Sequence, residues 1–248
     1  MKSNPKVSII VDGSNLEKED VEKIIEKVKI TTYTNYEIIL INKEDVKENN
    51  IFEAYQNAVK KAEGEYFIIV DEDLLQIDRE TYIEELVGIC QDETVGMVGT
   101  KLYNEENLVE HSGIILGMNG CGDFLYKGAP KDIGTYMQRL TIIHNVSCVF
   151  AKYAMIDKKI FDEVNGFNTN YNNILESIEL CIKMLNKGKQ IVLNPIVSIK
   201  VKGLKNAEKP NEEEQKEFIE KWKENYDKKD RFFSPNLSYK DTGLSFSI

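Results

Sequence analysis

The sequence feature that most constrains the fold is a short apolar run that stops at a cluster of carboxylates. Residues 66–70 read Tyr-Phe-Ile-Ile-Val and are followed directly by Asp71, Glu72 and Asp73. Such a run is long enough for a buried parallel strand and too short for a buried helix. In open α/β sheets, ligands bind beyond the carboxyl ends of the strands. Asp71 and Asp73, two residues apart, can therefore point the same way and share a divalent cation. The alternative is an acidic turn that only solubilises the strand end.

Strand-like and helix-like segments alternate around this run. Apolar, β-branched runs predict strands over residues 7–11, 36–41 and 95–99, and helical spacing predicts helices over residues 20–28, 51–62 and 81–89. The β-α-β-α-β order implies a parallel sheet with right-handed crossovers. We therefore expect an α/β protein with a mostly parallel central sheet flanked by helices.

The pattern becomes less regular after residue 104. Closely spaced glycines between residues 113 and 134 predict hairpins and loops. Later segments predict strands over 146–156, 191–193 and 197–199, a helical turn over 160–164 and a helix over 174–185. The tail opens with Pro210 and an acidic first turn, which suit a helix start. Phe218 and Trp222 then belong to an apolar stripe that indicates a helix docked on the domain.

Net charge limits the partners that the chain can have. The formal charge of −10 at pH 7 argues against a general binder of nucleic acid or anionic membranes. A polyanionic ligand would instead need a local cation. The four cysteines are widely spaced and indicate reduced thiols. The N-terminus has no apolar signal-peptide core and no run approaches the roughly 20 residues of a membrane span. We therefore expect a cytoplasmic protein without a transmembrane segment.

Seven segments carry a further pattern that extends over nearly the whole chain: residues 7–11, 36–42, 54–73, 110–114, 161–167, 176–183 and 230–238. Their order and spacing resemble family-2 glycosyltransferases, which have the GT-A nucleotide-sugar fold, and residues 71–73 resemble the D-x-D motif of that family. The last segment resembles the tail of rhamnosyltransferase-like members that build bacterial surface polysaccharides.

The resemblance implies a single GT-A domain with a C-terminal helical tail. Residues 1–104 would be its nucleotide-sugar-binding half, 105–205 its acceptor-binding half, and 206–248 a helix and tail packed on the domain. The implied activity is metal-dependent, inverting transfer of a sugar from a nucleoside diphosphate donor to a bacterial glycan or glycoprotein acceptor. Peripheral association with a biosynthetic complex would fit this role.

The resemblance also suggests where the donor would bind. Asp73 is the first choice as ligand of Mn²⁺ or Mg²⁺, with Asp71 on the metal or on the ribose, since hard cations prefer oxygen ligands. Asp12, Asn42 and Asn57 would line the seat of the nucleotide sugar. The family usually has an aspartate at the position of Asn42, and the amide has different donors and acceptors, so the nucleotide preference is open.

The acceptor side departs from the family pattern at Ser177. The family has an aspartate there that acts as catalytic base, and a serine hydroxyl cannot accept a proton at neutral pH without a base of its own. General-base catalysis contributes roughly 10²- to 10⁴-fold in rate. Either Glu176 or Glu179 could take over the role, although adjacent residues on a helix diverge by about 100°.

A second departure lies after Pro195. The family often carries a histidine near the metal or diphosphate, and the corresponding residue here is Val201. Lys200 and Lys202, on either side of it, could contact phosphate or could simply be solvated. Of the two histidines, we expect His111 to be a packed or hydrogen-bonded loop residue, with metal ligation as the alternative.

Two other functions fit parts of the pattern. The substitutions at Ser177, Asn42 and Val201 are compatible with a catalytically impaired module that binds a glycan or scaffolds a partner. A nucleotidyltransferase could share the sheet and the carboxylates, but it would need basic residues near the first strand, and residues 12–15 offer none. No catalytic triad motif, P-loop or G-x-G-x-x-G fingerprint is present.

Overall fold

The computed structural model describes residues 4–47 and 50–243. Its helices are α1 (Lys18–Val28), α2 (Ile51–Lys61), α3 (Tyr82–Cys90), α4 (Lys158–Glu163), α5 (Ile174–Asn186), α6 (Glu212–Lys221) and α7 (Lys223–Asp227). Its strands are β1 (Val7–Asp12), β2 (Tyr36–Ile41), β3 (Tyr66–Val70), β4 (Leu74–Ile77), β5 (Val95–Tyr103), β6 (Val109–His111), β7 (Ile114–Leu116), β8 (Gly122–Phe124), β9 (His144–Val146), β10 (Met155–Asp157) and β11 (Gln190–Val201).

A mixed sheet forms the centre of the fold, and in the described residues it has nine strands. The order is β2-β1-β3-β10-β5-β11-β4, with β6 beside β5 and β9 beside β11. The pairs β1–β2, β1–β3 and β5–β11 are parallel. Strand β10 enters antiparallel between β3 and β5, and β4 pairs antiparallel with β11. The predicted α/β class is confirmed, as a mixed sheet with a mostly parallel core flanked by helices.

The local sequence explains why these elements form. The residues of β1 are buried along the whole strand, so apolar side chains lie on both of its faces, and this accounts for the continuous apolar run. Helix α2 begins where the side chain of Asn50 accepts the N–H of Glu53 at 3.2 Å. Helix α5 begins in the same way, since Asn173 accepts the N–H of Leu175 at 3.0 Å.

The predicted strand over residues 146–156 is wrong. Only its ends are strands, and residues 147–154 run irregularly through the core. Side chains from other elements accept some of the backbone N–H groups there, in place of a strand partner. Phe150 donates to Nε2 of His111 and Ala151 donates to Oγ of Ser177, both at 3.0 Å. The prediction rested on apolar content alone, because these hydrogen-bond partners are distant in the sequence and could not be foreseen from it.

Strands β4 and β11 also differ from the prediction. No strand was expected over β4, although this segment pairs with the end of β11. The two short strands predicted on either side of Pro195 are one strand, β11. The register with β5 shifts between Asn194 and Ser198, so Pro195 lies in an irregular step where no ladder hydrogen bond is required of it.

The two sequence halves share this sheet, because β10 and β11 from the second half flank β5 from the first. The division at residue 104 stays a prediction. The tail contacts the domain at several points: Phe218 is fully buried in the main core, and the hydroxyl of Tyr226 donates to the carbonyl of Cys121 at 2.7 Å. Among the described residues, no helix is both long and apolar enough to cross a membrane.

Candidate functional site

A cavity of about 520 Å³ opens where β1 and β3 end, and we call it the strand-end cavity. Its lining consists of Asp12, Ser14, Asn15, Lys43, Val46, Ile51, Asp71, Glu72, Asn172, Lys205, Asn206 and Glu208. Carboxylates and amides predominate, with two lysines among them. The size lies within the range of small-molecule binding sites. Parallel strands that end at the same edge of the sheet bring these distant residues together.

Asp12 is held in one orientation at the end of β1. One carboxylate oxygen, Oδ1, accepts the backbone N–H of Ser14 at 3.0 Å and its hydroxyl at 2.7 Å. The other, Oδ2, accepts the hydroxyl of Tyr55 at 2.8 Å. Gly13 is required here because a Cβ atom on it would lie 2.8 Å from the side chain of Val21. The sequence predicted Asp12 in the site, whereas the support from Tyr55 on α2 was not predicted.

Asp71 forms a buried ion pair with Lys152 that the sequence did not reveal. The ammonium of Lys152 contacts Oδ2 of Asp71, and both side chains are almost inaccessible to solvent. The same ammonium lies 2.9 Å from Oδ1 of Asn206 and 3.3 Å from the carbonyl oxygen of Lys205. The backbone N–H of Glu72 donates to Oδ1 of Asp71 at 2.7 Å. Both carboxylate oxygens of Asp71 are therefore engaged.

Asp73 lies next to this pair in a different environment. Burial raises the pKa of its carboxyl, the negative charge of Asp71 raises it further, and a hydrogen bond from the backbone of Lys205 opposes the shift. The carbonyl of Asp73 accepts the backbone N–H of Lys202 at 2.9 Å. The residue is thus fixed between β4 and the end of β11. At the rim of the cavity, Lys205 forms an ion pair with Glu72.

The donor set does not fit a divalent cation as it stands. One carboxylate oxygen of Asp71 contacts the ammonium of Lys152, and the other accepts the backbone N–H of Glu72. Val201, at the position where the family resemblance implied a histidine, is fully buried and offers no ligand. In residues 4–47 and 50–243 there is no group of three or more histidine, cysteine or acidic residues that could hold a metal. The metal site on Asp71 and Asp73 stays a prediction.

The two predicted asparagines lie differently. Asn42 lines a cavity of about 420 Å³ that shares Ser14, Asn15 and Lys43 with the strand-end cavity, so the two spaces adjoin. Asn57 is exposed on α2 and lines another cavity, together with residues of β2. The structure does not bring Asn57 to the strand-end cavity, because the face of α2 that turns to the core carries Tyr55 and Ala58 instead.

The two candidate bases lie in α5 and do not line the strand-end cavity. Both carboxylate oxygens of Glu179 are engaged, one by Lys221 at 2.6 Å and one by the side chain of Asn168 at 2.6 Å. Glu176 accepts the backbone N–H of Asn168 at 2.5 Å through Oε1, while its buried Oε2 has no hydrogen-bond partner in the described part of the chain. Burial raises the pKa of Glu176 to about 7.

Ser177 and His111 both have structural contacts. Ser177 is fully buried, and its hydroxyl oxygen accepts the N–H of Ala151, one residue before Lys152. His111 is also buried: Nδ1 lies 3.0 Å from the carbonyl of Thr100, and Nε2 accepts the N–H of Phe150. Burial lowers the pKa of His111 to about 4, which keeps the ring neutral. His111 is hydrogen-bonded as expected, but it is the last residue of β6 and not a loop residue.

Comparison with known proteins defines the class. A family model described as "Glycosyltransferase like family" matches residues 8–164, and the chain belongs to this family. The chain is 24% identical over 218 residues to the O-antigen biosynthesis protein RfbC of Myxococcus xanthus, a match that covers 77% of the chain and 17% of RfbC. It is 29% identical over 226 residues to an uncharacterized protein of Sinorhizobium fredii, a match that covers 79% of the chain and 24% of that protein. The chain thus spans a quarter or less of the length of these curated relatives.

Solved structures show the same fold. GalNAc-T7, solved with UDP, GalNAc and Mn²⁺, matches 89% of the chain and 48% of its own, with a TM-score of 0.65 and 13% identity. The mannosyltransferase PcManGT of Pyrobaculum calidifontis, solved with GDP-Man and Mn²⁺, matches 80% of the chain and 57% of its own, with a TM-score of 0.55 and 15% identity. The fold is therefore that of the GT-A glycosyltransferases.

Proposed function

We propose that this chain is an inverting glycosyltransferase that binds a nucleoside diphosphate sugar in the strand-end cavity. The observation that carries the proposal is the convergence of three carboxylates at one edge of the sheet, where Asp12 and Asp71 line the cavity and Asp73 is buried beside it. The family membership and the nucleotide ligands of the two structural neighbours support it. The acceptor would be a bacterial surface glycan or glycoprotein, consistent with O-antigen biosynthesis by RfbC.

Residues of the cavity suggest how the donor would be held. Tyr55 and Ser14 hold the carboxylate of Asp12 in one orientation. It could therefore accept hydrogen bonds from the nucleoside without a further loss of side-chain entropy. Lys43 and Lys205 lie on the rim and could contact the diphosphate. The dependence on Mn²⁺ or Mg²⁺ that the sequence led us to expect is not part of this proposal, because the cation would have to compete with Lys152 for Asp71.

Glu176 is the better of the two candidate bases. In the transfer, the acceptor oxygen would form the new bond to the anomeric carbon, the bond from that carbon to the diphosphate oxygen would break, and the acceptor proton would pass to the base. Glu176 has a carboxylate oxygen without a partner in the described residues and a pKa of about 7, whereas Glu179 is held by Lys221 and Asn168. Asn172, two residues before the start of α5, lines the cavity, whereas Glu176 lies inside α5 and does not line it.

Turnover of donor sugars tests this function. We would measure hydrolysis and transfer with a panel of UDP, GDP and dTDP sugars, with EDTA and with Mn²⁺. The proposal expects turnover of at least one donor and a loss of roughly 10²-fold or more in Glu176→Gln. Glu179→Gln is the matched control and should retain more activity. Absence of both turnover and nucleotide binding in the wild type would contradict the proposal.

A second candidate function is a catalytically impaired module that binds the donor or a glycan. The engagement of Ser177 by the backbone of Ala151 favours it, because no free acid stands at this position. This alternative expects nucleotide binding without turnover of any donor. A gain of about a hundredfold in Ser177→Asp, the low end of general-base catalysis, would instead identify a weakened enzyme whose architecture is intact.

A further inference from the structure

A lysine side chain lies buried behind the strand-end cavity, at the point where the proposed function requires positive charge. Lys152 is 2% exposed. The three acceptors around its ammonium are Asp71, Asn206 and the carbonyl of Lys205, so all three of its donors have partners. Those three residues all line the cavity. The ammonium therefore lies directly behind residues that line the cavity.

The backbone around Lys152 is fixed on both sides. Ala151 donates its N–H to Ser177, and Tyr153 donates its N–H to the carbonyl of Ile69 at 2.7 Å. The hydroxyl of Tyr153 donates in turn to the carbonyl of Asp71 at 3.3 Å. The backbones of Lys152 and Asp71 are therefore held next to each other by these hydrogen bonds.

We propose that Lys152 is the resident cation of the donor site and that it replaces a divalent metal at Asp71. The inference rests on the proposed binding of a nucleoside diphosphate. It follows because the residues present do not suit the expected metal. The ammonium of Lys152 already contacts the carboxylate of Asp71, and a metal ion bound to the same oxygen would be repelled by the positive charge of the ammonium. Val201 removes a further ligand position.

Two of the groups that hold the ammonium can give way to a ligand. Asn206 and the carbonyl of Lys205 belong to the segment between β11 and α6, and both residues line the cavity. A diphosphate oxygen that replaces either of them would gain a charge-assisted hydrogen bond while the pair with Asp71 persists. The rim lysines, Lys43 and Lys205, would neutralise further charge on the diphosphate.

Binding measurements separate this proposal from a metal-dependent site. We would titrate UDP, GDP and dTDP into the protein by calorimetry, in EDTA and in MnCl₂, using wild type, Lys152→Met and Lys152→Arg. The affinity of the wild type for its nucleotide should differ by less than about threefold between the two buffers. Lys152→Met should lose about tenfold or more of this affinity in EDTA and regain it with Mn²⁺. Lys152→Arg should behave like the wild type because it keeps the charge.

Direct detection of Mn²⁺ and a control variant complete the test. Electron paramagnetic resonance should show Mn²⁺ bound by Lys152→Met and not by the wild type. Lys101→Met is the matched control, because Lys101 is also buried and donates to the carbonyls of Lys131 and Leu140, away from the cavity. Its nucleotide affinity should equal that of the wild type.

Two results would overturn the proposal that Lys152 replaces the metal. Wild-type binding that improves tenfold or more with Mn²⁺, or an affinity of Lys152→Met in EDTA equal to that of the wild type, would overturn it. If Lys152→Met does not fold, the wild-type comparison between EDTA and Mn²⁺ still decides. If the wild type binds no nucleotide in either buffer, the proposed function fails and the role of Lys152 fails with it.

Discussion

The hydroxyl oxygen of Ser177 lies 3.0 Å from the backbone nitrogen of Ala151 and accepts its N–H group. Both residues are buried, and Ala151 directly precedes Lys152, which pairs with Asp71. The residue that replaces the expected catalytic base thus supports the segment that carries the buried cation of the strand-end cavity. The departure from the family pattern at Ser177 and the ion pair of Asp71 with Lys152 are parts of one hydrogen-bonded arrangement.

Removing this hydroxyl should destabilise the protein. In Ser177→Ala the N–H of Ala151 loses its acceptor in the core, and an unsatisfied buried donor costs about 1–3 kcal/mol in the free energy of unfolding. Urea unfolding checks the loss. Ser238→Ala is the matched control, since the Ser238 hydroxyl also accepts a backbone N–H, from Lys240, but in a half-buried position. Equal losses in the two variants would show that the bond to Ala151 has no special weight.

The hydroxyl of Tyr55 should stabilise the folded protein because it donates a hydrogen bond to the charged carboxylate of Asp12. Tyr55→Phe removes the 2.8 Å hydrogen bond to the carboxylate of Asp12, and bonds to charged groups contribute about 1.5–3 kcal/mol. Tyr82→Phe is the control: its hydroxyl is equally buried and donates at 2.8 Å to a neutral carbonyl, that of Val28, a bond worth about 0.5–1.5 kcal/mol. Thermal and urea unfolding should show the larger loss in Tyr55→Phe. Nucleotide affinity should fall in that variant alone.

Glu176 should make stability depend on pH. Burial raises its pKa from 4.5 to about 7 in the folded protein, so between these values the folded state binds more protons than the unfolded state. The free energy of unfolding therefore falls as the pH rises through this window, whereas below about pH 4.5 both states are protonated and the pH dependence vanishes. From pH 5 to pH 8 the loss should be about 2–3 kcal/mol.

Glu176→Gln should remove this dependence, because the amide resembles the protonated acid. Urea unfolding of both proteins at pH 5 and pH 8 measures it: the variant should be close to the wild type at pH 5 and more stable at pH 8. Glu179→Gln should instead lose stability, since it breaks the contact with Lys221. A wild type and a Glu176→Gln variant with parallel pH profiles would contradict the shifted pKa.

Much of the fold around β1, β2 and β3 could be predicted because its signals are local. The runs that form β1, β2 and β3 are apolar over consecutive residues, and Asp12, Asp71 and Asp73 follow from the strand ends. Of these three carboxylates, Asp12 and Asp71 line the strand-end cavity, and Asp73 lies buried beside it.

Other features could not be predicted because they depend on contacts between distant segments. Lys152 meets Asp71 across 81 positions of sequence, in an irregular segment whose apolar composition resembles a strand. Nothing near Lys152 in the sequence signals a buried cation. Asn57 shows the opposite case: its segment fits the family pattern, but the side chain points away from the cavity because α2 buries Tyr55 and Ala58.

Calorimetric titration of the wild type with UDP, GDP and dTDP tests the central claim most directly. We predict that at least one nucleoside diphosphate binds at one site per chain, with a dissociation constant of about 1 mM or lower. Asp12→Asn should weaken that binding by about tenfold or more. Failure of the wild type to bind any of the three in either EDTA or Mn²⁺ would contradict a nucleotide-sugar site at the ends of β1 and β3.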